Sequence, residues 1–304
     1  MLLRKTLLFL SRQDWMRRLV ERAPFSRRAV KRFVAGESLD DVIPVLGRLR
    51  AEGIQATLDR LGEHITRIEE AVQSRDAYIE ALHRIRDAGF QATISLKLTQ
   101  LGLDLNESQC RRHLTAVVEA ARAGGLRVEV DMESSRYTDQ TLRIARDLHR
   151  LYGNVRAVIQ AYLYRSEGDI ITLCRESIPV RLCKGAYLEP PDLAYPKKKD
   201  VDENYRRLML NLLGNGLDPA IATHDTAMIR AALQYAAERR IRADHFEFQM
   251  LYGVHRDLQR MLVKKGARLR LYVPYGRAWY PYFMRRLAER PANVLFLMRN
   301  LFRS

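Results

Sequence analysis

From residue 53 onward the chain alternates between two kinds of hydrophobic pattern. Short β-rich apolar runs predict strands at residues 54–58, 92–98, 127–132, 157–162, 179–183, 219–223, 245–249 and 268–273. Between them, apolar positions recur at three- and four-residue spacing, as over residues 108–123, 138–151, 203–213, 226–239 and 257–265, and predict helices. Each such helix supplies a right-handed crossover between parallel strands. Eight strand–helix units in about 250 residues predict an α/β fold, a distorted (βα)8 barrel of the TIM type. A doubly wound sheet is the alternative, but no Gly-x-Gly-x-x-Gly follows the first strand. Residues 1–50 read as two or three short helices, so the expected division is an N-terminal helical segment, 1–50, and a barrel, 51–304.

In a barrel of this kind function gathers at the carboxyl ends of the strands. Polar residues fall there in unusual number. The second strand contains Lys97, the third ends with Asp131 and Glu133, and the fourth carries Gln160. The fifth reads Val180-Arg-Leu-Cys-Lys-Gly-Ala-Tyr187, the sixth ends Ala222-Thr-His-Asp225, and the seventh ends Phe246-Glu-Phe-Gln-Met250. The eighth carries Tyr272 and is followed by Pro274-Tyr-Gly276. A charged side chain within an apolar strand is costly to bury unless it is paired. A single one is explained by a structural ion pair; polar groups at most strand ends are better explained by a shared site. His224 alone would more often be a satisfied core histidine.

Beyond the last strand, Tyr282, Arg285, Arg286 and Glu289 fall at i, i+3, i+4 and i+7, along one face of a helix. Two adjacent guanidiniums make a planar fork for a small carboxylate, a geometry lysine does not copy. The glutamate one turn on pairs with one of them or with a substrate amine, and the tyrosine adds a wall or a hydroxyl. An isolated Arg-Arg pair is more often a solvated helix end. The strand-end residues turn this one into a clamp for a small amino acid.

Composition adds limits. Of 304 residues, 47% are hydrophobic, enough for a sizeable core in one large domain or two ordinary ones. Three cysteines, Cys110, Cys174 and Cys183, show no Cys-x-x-Cys spacing, which argues against a disulfide framework or a zinc knuckle and for a reducing compartment. No His/Asp/Glu spacing suggests a metal, and none is expected. The formal charge of +16 is concentrated at the ends: residues 1–50 carry 12 Lys+Arg against 5 Asp+Glu, and residues 260–304 carry 11 against 1. Basic ends suggest an anionic partner, a membrane surface or nucleic acid, or simply a basic surface. No stretch is long enough to span a membrane; Trp15, Met16, Leu19 and Val20 interleave with Arg17, Arg18 and Arg22, as in a basic helix lying on a membrane or one packed on the domain.

Taken together, Asp131-Met-Glu, Arg181-Leu-Cys-Lys-Gly-Ala-Tyr187, Ala222-Thr-His-Asp225, Phe246-Glu-Phe-Gln-Met-Leu251 and Tyr282-x-x-Arg-Arg-x-x-Glu289 resemble the proline dehydrogenase family, in its single-function bacterial type. The resemblance runs from Ala56-Thr-Leu-Asp-Arg-Leu-Gly-Glu63 to Asn293, with the motifs in the family's order. It implies non-covalently bound FAD and oxidation of L-proline to Δ1-pyrroline-5-carboxylate. A hydride would pass from proline C5 to flavin N5 and the electrons on to a membrane quinone. By resemblance, Asp131, Met132, Gln160, Arg181, Lys184, Gly185, Ala186, Thr223, His224 and Gln249 contact the flavin, with Asp131 and Arg181 closest to the chemistry. Lys97, Tyr272, Tyr282, Arg285, Arg286 and Glu289 bind proline, and Glu63 is the gate partner of Arg285.

Departures are few. Cys183 stands where many relatives carry an aliphatic residue and Asp225 where some carry asparagine. Tyr272 points to proline, since relatives that prefer hydroxyproline tend to have a smaller residue there. The second, aldehyde-oxidising step is expected of a separate pyrroline-5-carboxylate dehydrogenase. The expected location is cytoplasmic, peripheral on the inner face of the cell membrane, with the basic termini on anionic lipid and no nucleic-acid partner. Two other readings compete: a methylenetetrahydrofolate reductase-like flavin barrel, which has no need of the Arg-Arg clamp, and a basic nucleic-acid-binding protein, which predicts a continuous positive face.

Overall fold

The computed structural model describes residues 30–62 and 65–289, the last five as backbone only. Helix α1 (Leu39–Ala51) leads into β1 (Gln55–Arg60). There follow α2 (Ile68–Asp87), β2 (Thr93–Leu96), α3 (Glu107–Ala123), β3 (Val128–Val130), α4 (Thr138–Tyr152), β4 (Val155–Gln160), α5 (Ser166–Arg175) and β5 (Val180–Cys183). The chain continues through α6 (Lys198–Asn215), β6 (Ala220–Ala222), α7 (Thr226–Glu238), β7 (Glu247–Leu251), α8 (Arg256–Lys264), β8 (Leu269–Tyr275) and α9 (Trp279–Glu289). The strands form one closed parallel barrel in chain order, sealed by β8 against β1 from Gln55↔Arg270 to Arg60↔Tyr275. The expected α/β barrel is the fold observed; the strand bounds differ by at most two residues.

Period-two alternation separates the two faces of the barrel wall. Leu58, Ile94, Leu96, Val128, Val130, Ile159, Leu182, Ile221, Phe248 and Leu271 belong to the main apolar core, to which the surrounding helices contribute their own buried faces. The alternate positions are polar: Thr57 and Asp59, Thr93 and Ser95, Glu129 and Asp131, Arg156 and Gln160, Arg181, Glu247 and Gln249, Arg270 and Tyr272. The barrel is therefore filled by charge rather than by branched aliphatic layers.

Arg156, Glu129 and Glu247 have no solvent exposure. Arg156 Nη1 donates to Glu129 Oε1 at 3.1 Å and to Glu247 Oε1 at 2.5 Å, and its Nη2 donates to Asp218 Oδ2 at 2.8 Å. Arg270 Nε donates to both Glu247 oxygens at 3.0 and 3.1 Å, and its other nitrogens reach Ala56 O and Gln55 Oε1. Burial alone would push the Glu247 carboxyl up, yet Arg270 and Arg156 hold it well below the usual carboxylate range. The lattice survives burial because each charge meets opposite charges with directed hydrogen bonds.

Two segments outside the eight repeats are docked. In α1, Ser38 and Asp41 form a reciprocal cap, and Val42, Val45, Leu46 and Leu49 join the main core. Val30, Phe33 and Val34 join a separate cluster with Leu61 and with Trp279, Tyr280, Tyr282 and Phe283 of α9. The described part of the N-terminal segment thus lies on the barrel and on its final helix. Residues 1–29, including the basic amphipathic stretch around Trp15, lie outside the described residues.

Replacing Arg156 by methionine leaves three carboxylates facing an apolar chain. Urea unfolding should show a loss of about 3–5 kcal/mol, the range for breaking a buried ion pair from one side; a loss below about 1 kcal/mol would mean the lattice is far less coupled than its geometry shows.

Candidate active site

At the C-terminal mouth the lattice continues upward through Arg181 of β5. Its Nη1 donates to Glu129 Oε2 and, at 3.2 Å, to Gln249 Oε1. Its Nη2 donates to Asp131 Oδ1 and, at 2.7 Å, to Ser95 Oγ. Ser95 Oγ in turn donates to Asp131 Oδ1 at 2.9 Å, and Tyr272 OH to Asp131 Oδ2 at 2.9 Å. The Tyr272 ring lies 5.3 Å from the Arg181 guanidinium carbon, a cation–π arrangement. Burial works against the Arg181 charge, but Asp131 and Glu129 hold it above the usual guanidinium range. Burial and Asp131 push the Tyr272 hydroxyl far up, so it stays a neutral donor.

A second group surrounds the β3–β5 ends. Gln160 Nε2 donates to Glu133 O at 2.7 Å and approaches Met132 O at 3.4 Å, while its Oε1 accepts from Ala186 N–H at 3.3 Å. Gly185 has φ +112°, and a Cβ there would fall 2.2 Å from the Tyr162 ring, so only glycine fits this turn. Burial raises the Glu133 carboxyl, partly offset by hydrogen bonds from Thr99. Lys97 Nζ lies 3.7 Å from Asp59 Oδ1 at the end of β1.

The third group joins β5 to β6. Lys184 Nζ donates to Asp202 Oδ1 at 2.5 Å and to Asp225 Oδ2 at 2.9 Å. Asp225 also caps α7 by accepting from Ala227 N–H at 3.0 Å. His224 Nε2 accepts from Leu251 N–H at 3.1 Å, which puts the proton of a neutral ring on Nδ1. Thr223 N–H donates to Gln249 O at 3.1 Å and so ties β6 to β7.

The structure brings Asp131, Arg181, Gln249 and Tyr272 into one bonded set, Met132, Gln160, Gly185 and Ala186 into another, and Lys184, Thr223 and His224 beside them. Lys97 sits on the Asp59 side of the mouth. Tyr282 is buried on α9 in the cluster with Phe33 and Leu61. The side chains of Arg285, Arg286 and Glu289 and the whole of Glu63 lie outside the described residues; the backbone of α9 does place the three at i+3, i+4 and i+7 from Tyr282.

Sequence reasoning passed over Glu129, Ser95, Asp59 and Asp202, which hold the named residues in place, and Arg156, Glu247 and Arg270 beneath them. The signal was present: Arg127-Val-Glu-Val-Asp131, Phe246-Glu-Phe-Gln249 and Arg268-Leu-Arg-Leu-Tyr272 alternate strictly, and strands wrapped by helices on the outside must turn their polar set inward.

A closed parallel barrel with its chemistry at the carboxyl ends of the strands defines an α/β-barrel enzyme. A sequence profile of the family described as proline dehydrogenase matches residues 42–299. "Proline dehydrogenase 2" of Bacillus subtilis (strain 168) is 40% identical over 301 residues, 99% of each chain. "Proline dehydrogenase" of Deinococcus radiodurans is 40% identical over 282 residues, 90% of each. Among solved structures, proline utilization A (PutA) from Bdellovibrio bacteriovorus, inactivated by N-propargylglycine, superposes with a TM-score of 0.81 at 28% identity. That match covers 87% of this chain and 33% of the PutA chain. The chain belongs to the proline dehydrogenase family, and its activity is the oxidation of proline, the first step of proline catabolism.

The Lys184–Asp225 pair has a pH signature. Burial raises the Asp225 carboxyl, but Lys184 and the amides of Ala227 and Met228 outweigh it, so the folded value lies below the unfolded one. The pair's stabilisation is therefore present above the unfolded value near 3.8 and is lost as pH falls through the folded value. Asp225→Asn should lower thermal stability at neutral pH, and the deficit should shrink as the pH is taken below about 4. A deficit that stays constant to acid would remove the carboxylate's role.

Proposed function

We propose that this chain binds FAD without a covalent link at the C-terminal mouth, converts L-proline to Δ1-pyrroline-5-carboxylate, and delivers the electrons to a membrane quinone. The observation that carries this reading is the Arg181 guanidinium, buried beneath the mouth, fixed by four side chains and flanked by the Tyr272 ring.

The donor set fits the cofactor. Gln160, Arg181 and Gln249 offer guanidinium and amide groups, Gly185 carries no side chain where the chain turns, and Lys184, Thr223 and His224 line the neighbouring strand ends. With Asp131, Met132 and Ala186 these residues would hold FAD. When bound, FAD would supply the two-electron acceptor for the hydride leaving proline C5.

The chain's own residues account for the rest. Arg181 presents a fixed positive charge that favours developing negative charge on a neighbour. Lys97, Arg285 and Arg286 would bind the proline carboxylate, and this is a contribution of orientation. Their positive field also disfavours an ammonium ion, so the proline amine is held neutral and its lone pair assists C–H cleavage. Tyr272 is held by its bond to Asp131 and would wall one side of the proline ring. Tyr282 and Glu289 would complete the α9 side, and closing Arg285 against Glu63 would exclude water. The basic termini would rest on anionic lipid at the inner face of the cell membrane. The product passes to a separate pyrroline-5-carboxylate dehydrogenase.

The purified protein should show flavin absorption bands that bleach on anaerobic addition of L-proline. A colourless protein that FAD does not reconstitute would overturn the cofactor reading, and bands bleached only by a nicotinamide donor would overturn the electron source.

Arg285→Met and Arg286→Met should each raise the proline KM about tenfold or more, roughly 1.4 kcal/mol of lost binding, with the flavin retained. An unchanged KM in both would end the clamp assignment.

A further inference from the structure

Arg181 is reached from above by Asp131 and from below by Glu129, and the lower contact belongs to none of the roles given so far. Glu129 has no solvent exposure and lies two residues before Asp131 on β3, on the same inward face. Its Oε2 accepts from Arg181 Nη1 and its Oε1 from Arg156 Nη1 at 3.1 Å, so one carboxylate spans the two guanidiniums. Gln249 Nε2 points at the same carboxylate, 3.3 Å from Oε1, while Gln249 Oε1 accepts from Arg181. Glu247, equally buried, is bonded to Arg156, Arg268, Arg270 and Gln249, and none of these bonds reaches Arg181.

This arrangement has two physical consequences. Arg181 Nη1 is tied to the floor of the barrel, which sets the height and tilt of the guanidinium plane below the mouth. Its single positive charge is also shared between two carboxylates, so the field it projects upward is much weaker than that of a free guanidinium in so dry a place.

We propose that Glu129 is a positioning residue for Arg181: it fixes the guanidinium from below and limits the positive field that Arg181 offers to the electron acceptor at the mouth. The inference rests on the flavin reading above. A reduced flavin carries added negative charge, so a stronger positive field beneath it favours reduction. Weakening the Glu129 contact therefore raises the two-electron midpoint potential of the bound flavin.

The test compares midpoint potentials of the flavin-loaded wild-type protein with Glu129→Gln, Glu129→Asp and Glu247→Gln, titrated anaerobically with a reference dye. Glu129→Gln keeps the shape and removes the charge; it should favour the reduced flavin about tenfold, a rise of about 30 mV for two electrons. Glu129→Asp keeps the charge but withdraws it from Arg181 by one methylene, and should give a smaller rise. Glu247→Gln removes an equal charge from the same floor without touching Arg181, and should shift the potential less than Glu129→Gln does. Thermal melts run alongside report the purely structural cost, which both glutamates share. Should Glu129→Gln not fold, the aspartate variant decides. A potential unchanged in a folded, flavin-loaded Glu129 variant, or one moved as far by Glu247→Gln, overturns the proposal. A wild-type protein that binds no flavin would instead overturn the cofactor reading.

Discussion

Burying a cation without its partners is prohibitive, and the interior of this barrel is organised around meeting that constraint for three guanidiniums and one ammonium. Arg156, Arg181 and Arg270 enter from β4, β5 and β8, and Lys97 follows β2. Glu129, Asp131, Glu247 and Asp59 answer them from β3, β7 and β1. Each pair spans different strands, so the ion lattice exists only when the barrel is closed and in register. A one-residue slip of any strand would turn its charges into the apolar layer beneath the helices. The lattice thereby specifies a single register, whatever its net contribution to stability.

The same lattice carries the site. Arg181 is the junction, bonded to Glu129, Gln249, Asp131 and Ser95 and flanked by the Tyr272 ring. Side chains held this way need little rearrangement when charge develops near them, which is the condition for electrostatic preorganisation. Loop residues finish the mouth, with the Gly185 turn against Tyr162 and the Asp225 cap against Lys184 joining the strand ends to the first turn of α7. Family membership agrees with this division: the shared barrel supplies the rigid frame, and identity near 40% extends over almost the whole of the single-function relatives.

A second apolar cluster lies between the segment around Phe33 and helix α9. Tyr282 belongs to it. The helix that carries the proposed carboxylate clamp is thus seated by residues that lie ahead of the barrel's first strand, more than two hundred positions before the helix itself. The backbone hydrogen bonds Ala35 N–H to Pro274 O and Gly276 N–H to Gly36 O fasten the same two regions together.

Most of the architecture was legible in the chain alone. Alternating strand and helix periods located all eight strands to within a few residues, because burial on one face imposes a period that local sequence records directly. The strand-end motifs, read with the family resemblance, named Asp131, Arg181, Gln249 and Tyr272, which the structure joins in one network. Tertiary structure alone decided the pairings: that Glu129 serves both Arg181 and Arg156, that Lys97 answers Asp59, that Lys184 bridges Asp202 and Asp225, and that the residues around Phe33 seat α9. Periodicity states which face a side chain takes, but which charge it meets across a barrel depends on closure and register. Those are properties of eight strands together and of no single stretch of sequence.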